Sequence, residues 1–533
     1  MLGGAMDESA PLRRNSSLST ARKQNNIARL ILWLGPVAAL LAVTLQHIDG
    51  GDWQRGDSGF YAAVGTQAWE SGNLWTLHAG SPADTGTEYF NKPPLTFWIT
   101  GLACHLFGAN AVIVRATTVF AACAVVLLTG LIAITLSTRS IAAGAMIATA
   151  LNLEFFRRTH ELSLDMWQLV WLMCAMYCAA RSAKRCSARW LVVMGLPIGC
   201  ALMTKPLLGL LAIVLIGVWI LTLRTDGEFP SRSRERGLLG ALGVALVVAL
   251  PWHLSMMVIH GDTFTNQYFG AEMASRAMGE MTEGAGSTTT SMFYVKHLVE
   301  GAQPWVVLAI LGIGIWFVRM LGRTGVSTNA SRLARLWMIW FVGWFVLLTL
   351  FPDRRDRYAL VLHPAIGTLA GVFLASIRVP HLAKLLRATR NWLGPIAVGV
   401  GVVVAFLPIR AHKPVNDQWP ALFAFLREHH EHALEQKQQW RFDSICAGAW
   451  EAQRGSRMYH EFGAWPRQTR DRAGKIVHMP GVGDLVLYHI RDGWKPGSTE
   501  TVVFSSGDVT VTTLDALPWE PVESVDPGES NDN

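Results

Sequence analysis

Residues 88–98 read EYFNKPPLTFW and place a lysine and two prolines at the start of a short apolar run. That run, Pro94 to Phe107, is shorter than the roughly 20 residues that a helix needs to cross a bilayer. Because proline fixes the backbone where a helix begins, the two prolines set the angle at which the chain enters the run. The stretch therefore predicts an interfacial helix, residues 94–107, that lies along the membrane surface.

Hydrophobic residues make up 51% of the 533 positions and charged residues 16%, whereas a soluble domain carries about 25% charged residues. Apolar runs recur along the chain as far as residue 407, so most of the chain is predicted to lie in a membrane. We expect an all-α polytopic membrane domain, residues 27–410, with about eleven transmembrane helices. The predicted spans are 27–46, 112–136, 141–157, 166–181, 190–203, 207–223, 238–258, 304–320, 335–351, 359–377 and 392–409.

Positive charges orient the predicted bundle, because cytoplasmic loops carry an excess of lysine and arginine. The N-terminal tail, residues 1–26, is basic and has no cleavable signal pattern, so we expect it to be cytoplasmic. Alternate loops are rich in arginine, whereas loops 47–93 and 259–303 are acidic and fall on the opposite side. This alternation requires that residues 94–107 do not cross the membrane. The formal charge of +7 then reflects topology, and nucleic acid is not expected as a partner.

The chain becomes polar after the last predicted span. Trp419–Gln438 has the pattern of an amphipathic helix, and four runs are typical of short strands. These runs are Lys475–His478, Asp484–Ile490, Thr501–Phe504 and Val509–Thr513. An odd number of spans predicts that residues 411–520 form a small exported α/β domain. The acidic end, residues 521–533, is predicted to be disordered.

Few ionisable side chains lie near the predicted span ends on the outer face, where such groups are costly and usually functional. They are Asp57, Lys92, Arg157, Arg158, Glu161, Asp165, Lys205 and the segment DRRDRY at 353–358. Topology predicts that these segments meet at one membrane face. Carboxylates there suit a general base, and lysine, arginine and tyrosine suit a phosphate leaving group. The alternative is that single arginines reach lipid headgroups and that Asp57 caps a helix or stabilises a turn.

Six stretches together resemble the GT-C membrane glycosyltransferases. In chain order they are GDSGFYAAVGTQAWESGNLW, NKPPLTFWITGLACHLFGANAVIVRA, RRTHELSLDMWQL, LMTKPLLGL, ALPWHL and DRRDRYALVLHPAIGTLAG. Within that group they are similar to the bacterial branch of the protein O-mannosyltransferase family, which includes the aminoarabinose transferase acting on lipid A. The similarity runs from about residue 27 to residue 378, and KPPL with a downstream tryptophan is its most specific element.

The resemblance implies roles for individual residues. Asp57 matches the acid of the first external loop, which lies near the acceptor nucleophile, and Asp165 matches a second acid. Lys92 and Tyr358 match the lysine and tyrosine that hold the carrier phosphate. Topology adds three further candidates for the same phosphate, which are Arg158, Lys205 and Arg357.

The chain departs from the family at Asn91, where the aminoarabinose transferase has glutamate before the KPPL lysine. No residue is assigned as a metal ligand, and a divalent metal is left open as a cofactor. His429, His430 and His432 could bind a metal, since positions 429 and 432 share a helix face, but the preferred interpretation is a solvated charged helix.

These observations predict a multi-pass glycosyltransferase of a bacterial inner membrane. It would take a sugar from a polyprenyl phosphate and transfer it, with inversion, to an envelope lipid, glycan or protein on the non-cytoplasmic face. A transporter of lipid-linked sugars and a non-catalytic assembly factor are alternatives from another class. Repeats and broken helices at the midplane would favour a transporter. A ligase that moves a whole oligosaccharide is a further alternative.

Overall fold

The computed structural model describes residues 35–45, 48, 57–78, 88–223, 229–278, 292–321, 328–352, 354–376, 418–436, 440–442, 467–468, 484–489, 500–506 and 509–514. Four predicted features lie outside these residues, namely the cytoplasmic tail 1–26, the span 392–409, the strand Lys475–His478 and the tail 521–533.

The chain divides into two compact units. The first comprises residues 1–49, 90–96 and 115–411, and the second comprises residues 50–89, 97–114 and 412–533. The predicted domain boundaries remain predictions.

Sixteen α-helices are found among the described residues, and three other helical segments connect some of them. The α-helices are α1 Gly35–Leu45, α2 Asp57–Glu70, α3 Leu95–Phe107, α4 Ala111–Leu136, α5 Arg139–Ala150, α6 Leu153–Arg157, α7 Leu164–Arg185, α8 Ala188–Leu202, α9 Pro206–Thr222, α10 Ser231–Thr265, α11 Ser275–Met278, α12 Phe293–Gly301, α13 Trp305–Leu321, α14 Thr328–Leu350, α15 His363–Ser376 and α16 Gln418–Glu435. Arg158–His160 and Asp356–Leu362 are 3-10 helical, and Asn266–Ala274 is a π-helix.

Four helices in the described part of the chain are long and apolar enough to cross a membrane. They are Ala111–Leu136, Ser231–Ala274, Ser331–Leu350 and Asp356–Ser376. The pair Phe293–Gly301 and Trp305–Val318, which is bent by 104°, adds a fifth if it forms one span. The predicted helix at 94–107 is present as α3, and its location at the membrane surface remains a prediction, as does the count of about eleven spans.

Helices of the first unit approach closely where glycines face a neighbour. Gly195 and Gly199 of α8 lie against α10, where an added Cβ would collide with Ala241 and Val248. Helix α5 meets α15 in the same way at Gly144, since a Cβ there would lie 2.9 Å from a backbone carbon of α15. Such close contacts are typical of helices that associate within a bilayer.

In the second unit, α2 packs on the part of α3 that follows Thr96. A Cβ at Gly101 would collide with the backbone of Gly65, so the two helices touch there. The indole N–H of Trp69 donates to the Trp98 carbonyl at 2.9 Å, which stabilises this contact. The external loop predicted between α1 and α3 therefore contains an ordered helix.

The second unit also contains a five-stranded sheet with the order β2-β1-β3-β5-β4. Its strands are β1 Trp440–Phe442, β2 Arg467–Gln468, β3 Leu485–His489, β4 Glu500–Ser506 and β5 Val509–Leu514. Strand β1 is parallel to β2 and β3, whereas β5 is antiparallel to β3 and β4. Helix α16 packs on β4 through Phe425 and Phe504, whose ring centroids are 4.8 Å apart. Strands are present at three of the four predicted places.

Candidate active site

Asp165 and Lys205 form a buried ion pair between two helix starts. Ser163 caps α7 by accepting a hydrogen bond from the Asp165 backbone N–H at 3.1 Å, and this places Asp165 in the first turn. Lys205 precedes α9, whose first residue is Pro206, a position where the missing N–H has no cost. The Lys205 Nζ lies 2.7 Å from Asp165 Oδ1, and the two side chains are only 13% and 6% exposed.

The 3-10 segment Asp356–Leu362 brings two more predicted residues to this pair. The Nε atom of Arg357 lies 3.7 Å from Asp165 Oδ2. The ring centroid of Tyr358 lies 5.4 Å from the Lys205 Nζ, within the range of a cation–π contact. Asp165, Lys205, Arg357 and Tyr358 are called the Asp165 cluster below.

The surrounding charges keep Asp165 ionised. Burial alone would raise the pKa of this carboxyl group. The positive charges of Lys205 and Arg357, with hydrogen bonds from Lys205 and Ser163, instead lower the pKa below its ordinary value. The start of α7 adds to this effect, because a helix N-terminus favours negative charge. The cluster thus contains one carboxylate and two cations, and its net charge is positive.

Arg158 lies in a second group of charges and contacts three carboxylates. Its Nε and Nη2 atoms donate to Glu154 Oε1 at 2.9 and 2.8 Å. Its Nη1 atom donates to Glu161 at 3.2 Å, and Nη2 also donates to Asp356 Oδ2 at 2.6 Å. Burial alone lowers the pKa of Arg158, but Glu161, Asp356 and Glu154 raise it above its ordinary value.

Lys92 lies in the segment before α3 and forms an ion pair with Glu272. Phe90 fixes this segment by packing on Phe264, with ring centroids 5.5 Å apart. Glu272 lies on the π-helix Asn266–Ala274. π-Helices are rare in proteins, and those that occur are frequently found at functional sites. This π-helix follows a kink at Gly261, whose φ of 50° favours glycine.

A backbone hydrogen bond connects the Lys92 segment with the Lys205 segment. The N–H of Leu95 donates to the carbonyl oxygen of Met203 at 3.2 Å. The KPPL and LMTKP motifs, which are far apart in sequence, are therefore neighbours in the first unit.

Asp57 is the first residue of α2, in the second unit. Its side chain lies outside what the structure describes, so its role as a base remains a prediction. A carboxylate at a helix start also suits the alternative of a helix cap.

Sequence reasoning assigned no individual role to three carboxylates that the structure places beside predicted residues. They are Glu154 and Asp356, which contact Arg158, and Glu272, which contacts Lys92. Asp356 stood within the DRRDRY motif, and Glu154 stood at the end of a predicted span, where an acid is unusual. Glu272 gave no signal beyond the acidity of its loop.

No group of three histidine, cysteine or carboxylate side chains that could hold a metal is found in the described part of the chain. His429 stacks on Phe425, with ring centroids 4.1 Å apart, and its Nδ1 atom lies 2.9 Å from the Phe425 carbonyl. The structure therefore gives this histidine a packing role within α16.

Residues 91–254 match the family of dolichyl-phosphate-mannose-protein mannosyltransferases. This range contains Lys92, Arg158, Asp165 and Lys205.

Two curated relatives are undecaprenyl phosphate-α-4-amino-4-deoxy-L-arabinose arabinosyl transferases. That of Sodalis glossinidius is 30% identical over 292 residues, which are 52% of this chain and 48% of the relative. That of Enterobacter sp. is 27% identical over 372 residues, which are 67% of this chain and 61% of the relative. The chain therefore spans about half the length of the first relative.

The crystal structure of ArnT from Cupriavidus metallidurans bound to undecaprenyl phosphate superposes with a TM-score of 0.67. The match covers 92% of this chain and 99% of ArnT at 17% sequence identity. The chain thus has the fold of a GT-C membrane glycosyltransferase. Within that class it is similar to the aminoarabinose transferases, and the resemblance predicted from its motifs is confirmed.

Proposed function

We propose that this protein is a membrane glycosyltransferase that takes a sugar from a polyprenyl phosphate and transfers it to an envelope acceptor. The observation that carries the proposal is the Asp165 cluster, a buried group with net positive charge in a chain that has the fold of ArnT. That relative was crystallised with undecaprenyl phosphate. The acceptor class, whether lipid, glycan or protein, stays open in the proposal.

The cations of the first unit suit a phosphate leaving group. In the proposed reaction, the phosphate oxygen gains negative charge as its bond to the sugar breaks, and fixed cations stabilise that charge. Lys205 and Arg357 supply two cations, Tyr358 supplies a hydroxyl group, and Lys92 supplies a third cation on the neighbouring segment. Arginine binds phosphate in a bidentate manner, whereas lysine acts as a point charge.

The proposed transfer is a single displacement. The acceptor oxygen attacks the anomeric carbon on the side opposite the phosphate, and the bond from that carbon to the phosphate oxygen breaks. The bonding electrons leave with the lipid phosphate, and Asp57 accepts the proton of the acceptor hydroxyl. This route inverts the anomeric centre and needs no nucleotide, because the donor is attached to a lipid.

Asp165 is proposed to orient the cations around the phosphate. It forms an ion pair with Lys205 and lies close to Arg357, so its two oxygens fix two side chains from different elements. A carboxylate in this place also limits the net charge, which leaves the cluster able to release the product phosphate. Replacing Asp165 should therefore slow transfer rather than abolish it.

A transporter and the proposed transferase differ in where their charged side chains lie. A transporter that moves its substrate across the bilayer requires polar, broken helices near the midplane. The charges of the Asp165 cluster instead lie at helix starts, before or in the first turn of α7, α9 and the 3-10 segment Asp356–Leu362. An oligosaccharide ligase would use the same residues, and the mass of the transferred group distinguishes it from a single-sugar transferase.

The location of the reaction forms part of the proposal. We place the protein in a bacterial inner membrane, with its N-terminus in the cytoplasm and the C-terminal domain outside. The four to five apolar helices described above support a membrane location. The alternation of arginine-rich loops supports the orientation.

Comparative mass spectrometry tests the proposal. Envelope glycolipids and glycoproteins are compared between a strain that lacks the gene, the same strain with the wild-type gene and the same strain with Asp57→Asn. We expect one sugar mass to be absent from an acceptor in the first and third strains and present in the second. Identical envelope profiles in all three strains would overturn the proposal, and loss of a whole oligosaccharide would favour the ligase.

A further inference from the structure

Arg158 has most of its hydrogen-bonding capacity taken up by carboxylates. Guanidinium has five N–H groups. The Nε group, one Nη1 group and both Nη2 groups donate to Glu154, Glu161 and Asp356. The side chain is also only 6% exposed. A phosphate at Arg158 would have to compete with three carboxylates for the guanidinium.

Asp356 connects Arg158 with the Asp165 cluster. Its Oδ2 atom accepts from Arg158 at 2.6 Å, and its Oδ1 atom accepts from the backbone N–H of Arg357 at 2.8 Å. Arg357 and Tyr358 follow directly in the chain and contact Asp165 and Lys205. The position of Asp356 therefore fixes the backbone from which the side chains of Arg357 and Tyr358 extend.

Glu154 also holds the guanidinium of Arg158 in place. It lies in α6, directly before the 3-10 turn that starts with Arg158, and it accepts two hydrogen bonds from the guanidinium. Its side chain is 7% exposed. Helix α6 is capped by Asn152, which accepts from the Phe155 backbone N–H at 3.1 Å, so Glu154 stands on an ordered turn.

We propose that Glu154 and Asp356 are positioning residues, which act through Arg158 to hold Arg357 and Tyr358 where they meet the carrier phosphate. This inference rests on the proposed function. It gives Arg158 an indirect role in donor binding, in contrast to the direct phosphate contact predicted from its location in the sequence. The plain alternative is a buried ion network that stabilises the fold alone.

The test is the affinity of purified protein for undecaprenyl phosphate, titrated in detergent and followed by tryptophan fluorescence. The variants are Asp356→Asn, Arg158→Lys and the double variant. Asp356 is 39% exposed, so its replacement by asparagine should leave the fold intact. The matched control is Arg157→Gln, because Arg157 is the neighbouring arginine, is 56% exposed and lies 3.7 Å from the same Glu154.

Each single variant should bind undecaprenyl phosphate about tenfold more weakly, as expected for the loss of one charge-assisted hydrogen bond. The double variant should bind no more weakly than the weaker single variant, because the two residues act as one unit. Arg157→Gln should bind as the wild type does. Glu154→Gln should bind undecaprenyl phosphate with about the same affinity as Arg158→Lys. Both variants should still unfold in a cooperative thermal transition, which shows that they are folded.

Three results would overturn the inference. Tighter binding by Asp356→Asn would show that Arg158 touches phosphate directly and that Asp356 competes with it. Unchanged affinity together with a lower unfolding temperature would assign the network to stability alone. If the wild type itself fails to bind undecaprenyl phosphate, the proposed function fails, and this inference fails with it. The first two results leave the proposed function standing, so the failures are distinguishable.

Discussion

Replacing Lys92 by methionine should weaken binding of the polyprenyl-phosphate donor. The Lys92 side chain is 12% exposed and pairs with Glu272, which is 6% exposed, so its charge lies where water has little access. A charge-assisted hydrogen bond to phosphate contributes about 1.5–3 kcal/mol, and its loss should raise the dissociation constant about 10- to 150-fold. Lys92→Arg should restore binding only in part, because guanidinium is planar and broader than ammonium.

The ion pair with Glu272 supplies the controls for this experiment. Lys92→Met removes a cation from beside a buried carboxylate, and such a change costs on the order of 3–5 kcal/mol of stability. The double variant Lys92→Met/Glu272→Gln carries neither charge, so it should regain stability while donor binding remains weak. Glu272→Gln alone should bind the donor at least as tightly as the wild type, because Glu272 no longer competes with phosphate.

Two measurements on detergent-purified protein separate binding from stability. Titration with undecaprenyl phosphate gives the affinity, and thermal unfolding without lipid gives the stability. If folded Lys92→Met binds the lipid as tightly as the wild type, Lys92 does not contact phosphate. Its role would then be to anchor α3 to lipid headgroups.

Three further predictions concern the acids and the topology. Asp57→Asn should abolish transfer at unchanged expression, because an amide cannot accept the proton, and wild-type turnover would refute the base assignment. Asp165→Asn should slow transfer. Because the pKa of Asp165 is lowered, its ion pairs should stabilise the wild type at neutral pH and be lost only below about pH 4. The unfolding temperatures of the wild type and of Asp165→Asn are measured over a pH series. A difference between the two proteins that is as large at pH 3 as at pH 7 would contradict this expectation. In a variant without native cysteines, an impermeant thiol reagent should label a cysteine at position 80 but not one at position 230. Labelling of both from one side would contradict the predicted topology.

Much of the helical architecture could be predicted because apolar runs have a length and a period. The prediction of 112–136 agrees with α4, Ala111–Leu136, and the interfacial helix agrees with α3 to within one residue. The two prolines of the KPPL motif also marked a helix start correctly, since α3 begins at Leu95, directly after them. Helix α2 within the first external loop was not predicted, since its sequence is only weakly amphipathic.

Part of the candidate site followed from topology alone. Side chains at span ends on one face should meet, and Asp165, Lys205, Arg357 and Tyr358 do so. The contact between Arg158 and Asp356 could not be predicted, because the two residues lie 198 positions apart and no local pattern encodes that contact. The pairing of Lys92 with Glu272 depends in the same way on how distant helices pack. The sequence therefore indicated which residue types lie at the candidate site, and the fold determined which of them form ion pairs.

The most direct test of the proposed transfer uses a detergent extract of the whole envelope from a strain that lacks the gene, because such an extract should contain the unused donor and the unused acceptor, whether that acceptor is a lipid, a glycan or a protein. Purified protein in detergent is added, and mass spectrometry follows polyprenyl-phosphate sugars, free polyprenyl phosphate and sugar-bearing acceptors over time. The proposal predicts that one polyprenyl phosphate appears for each sugar gained by an acceptor with wild-type protein, and that neither appears with Asp57→Asn. If folded wild-type protein leaves the polyprenyl-phosphate sugars of the extract unchanged, the protein is not a transferase of this kind.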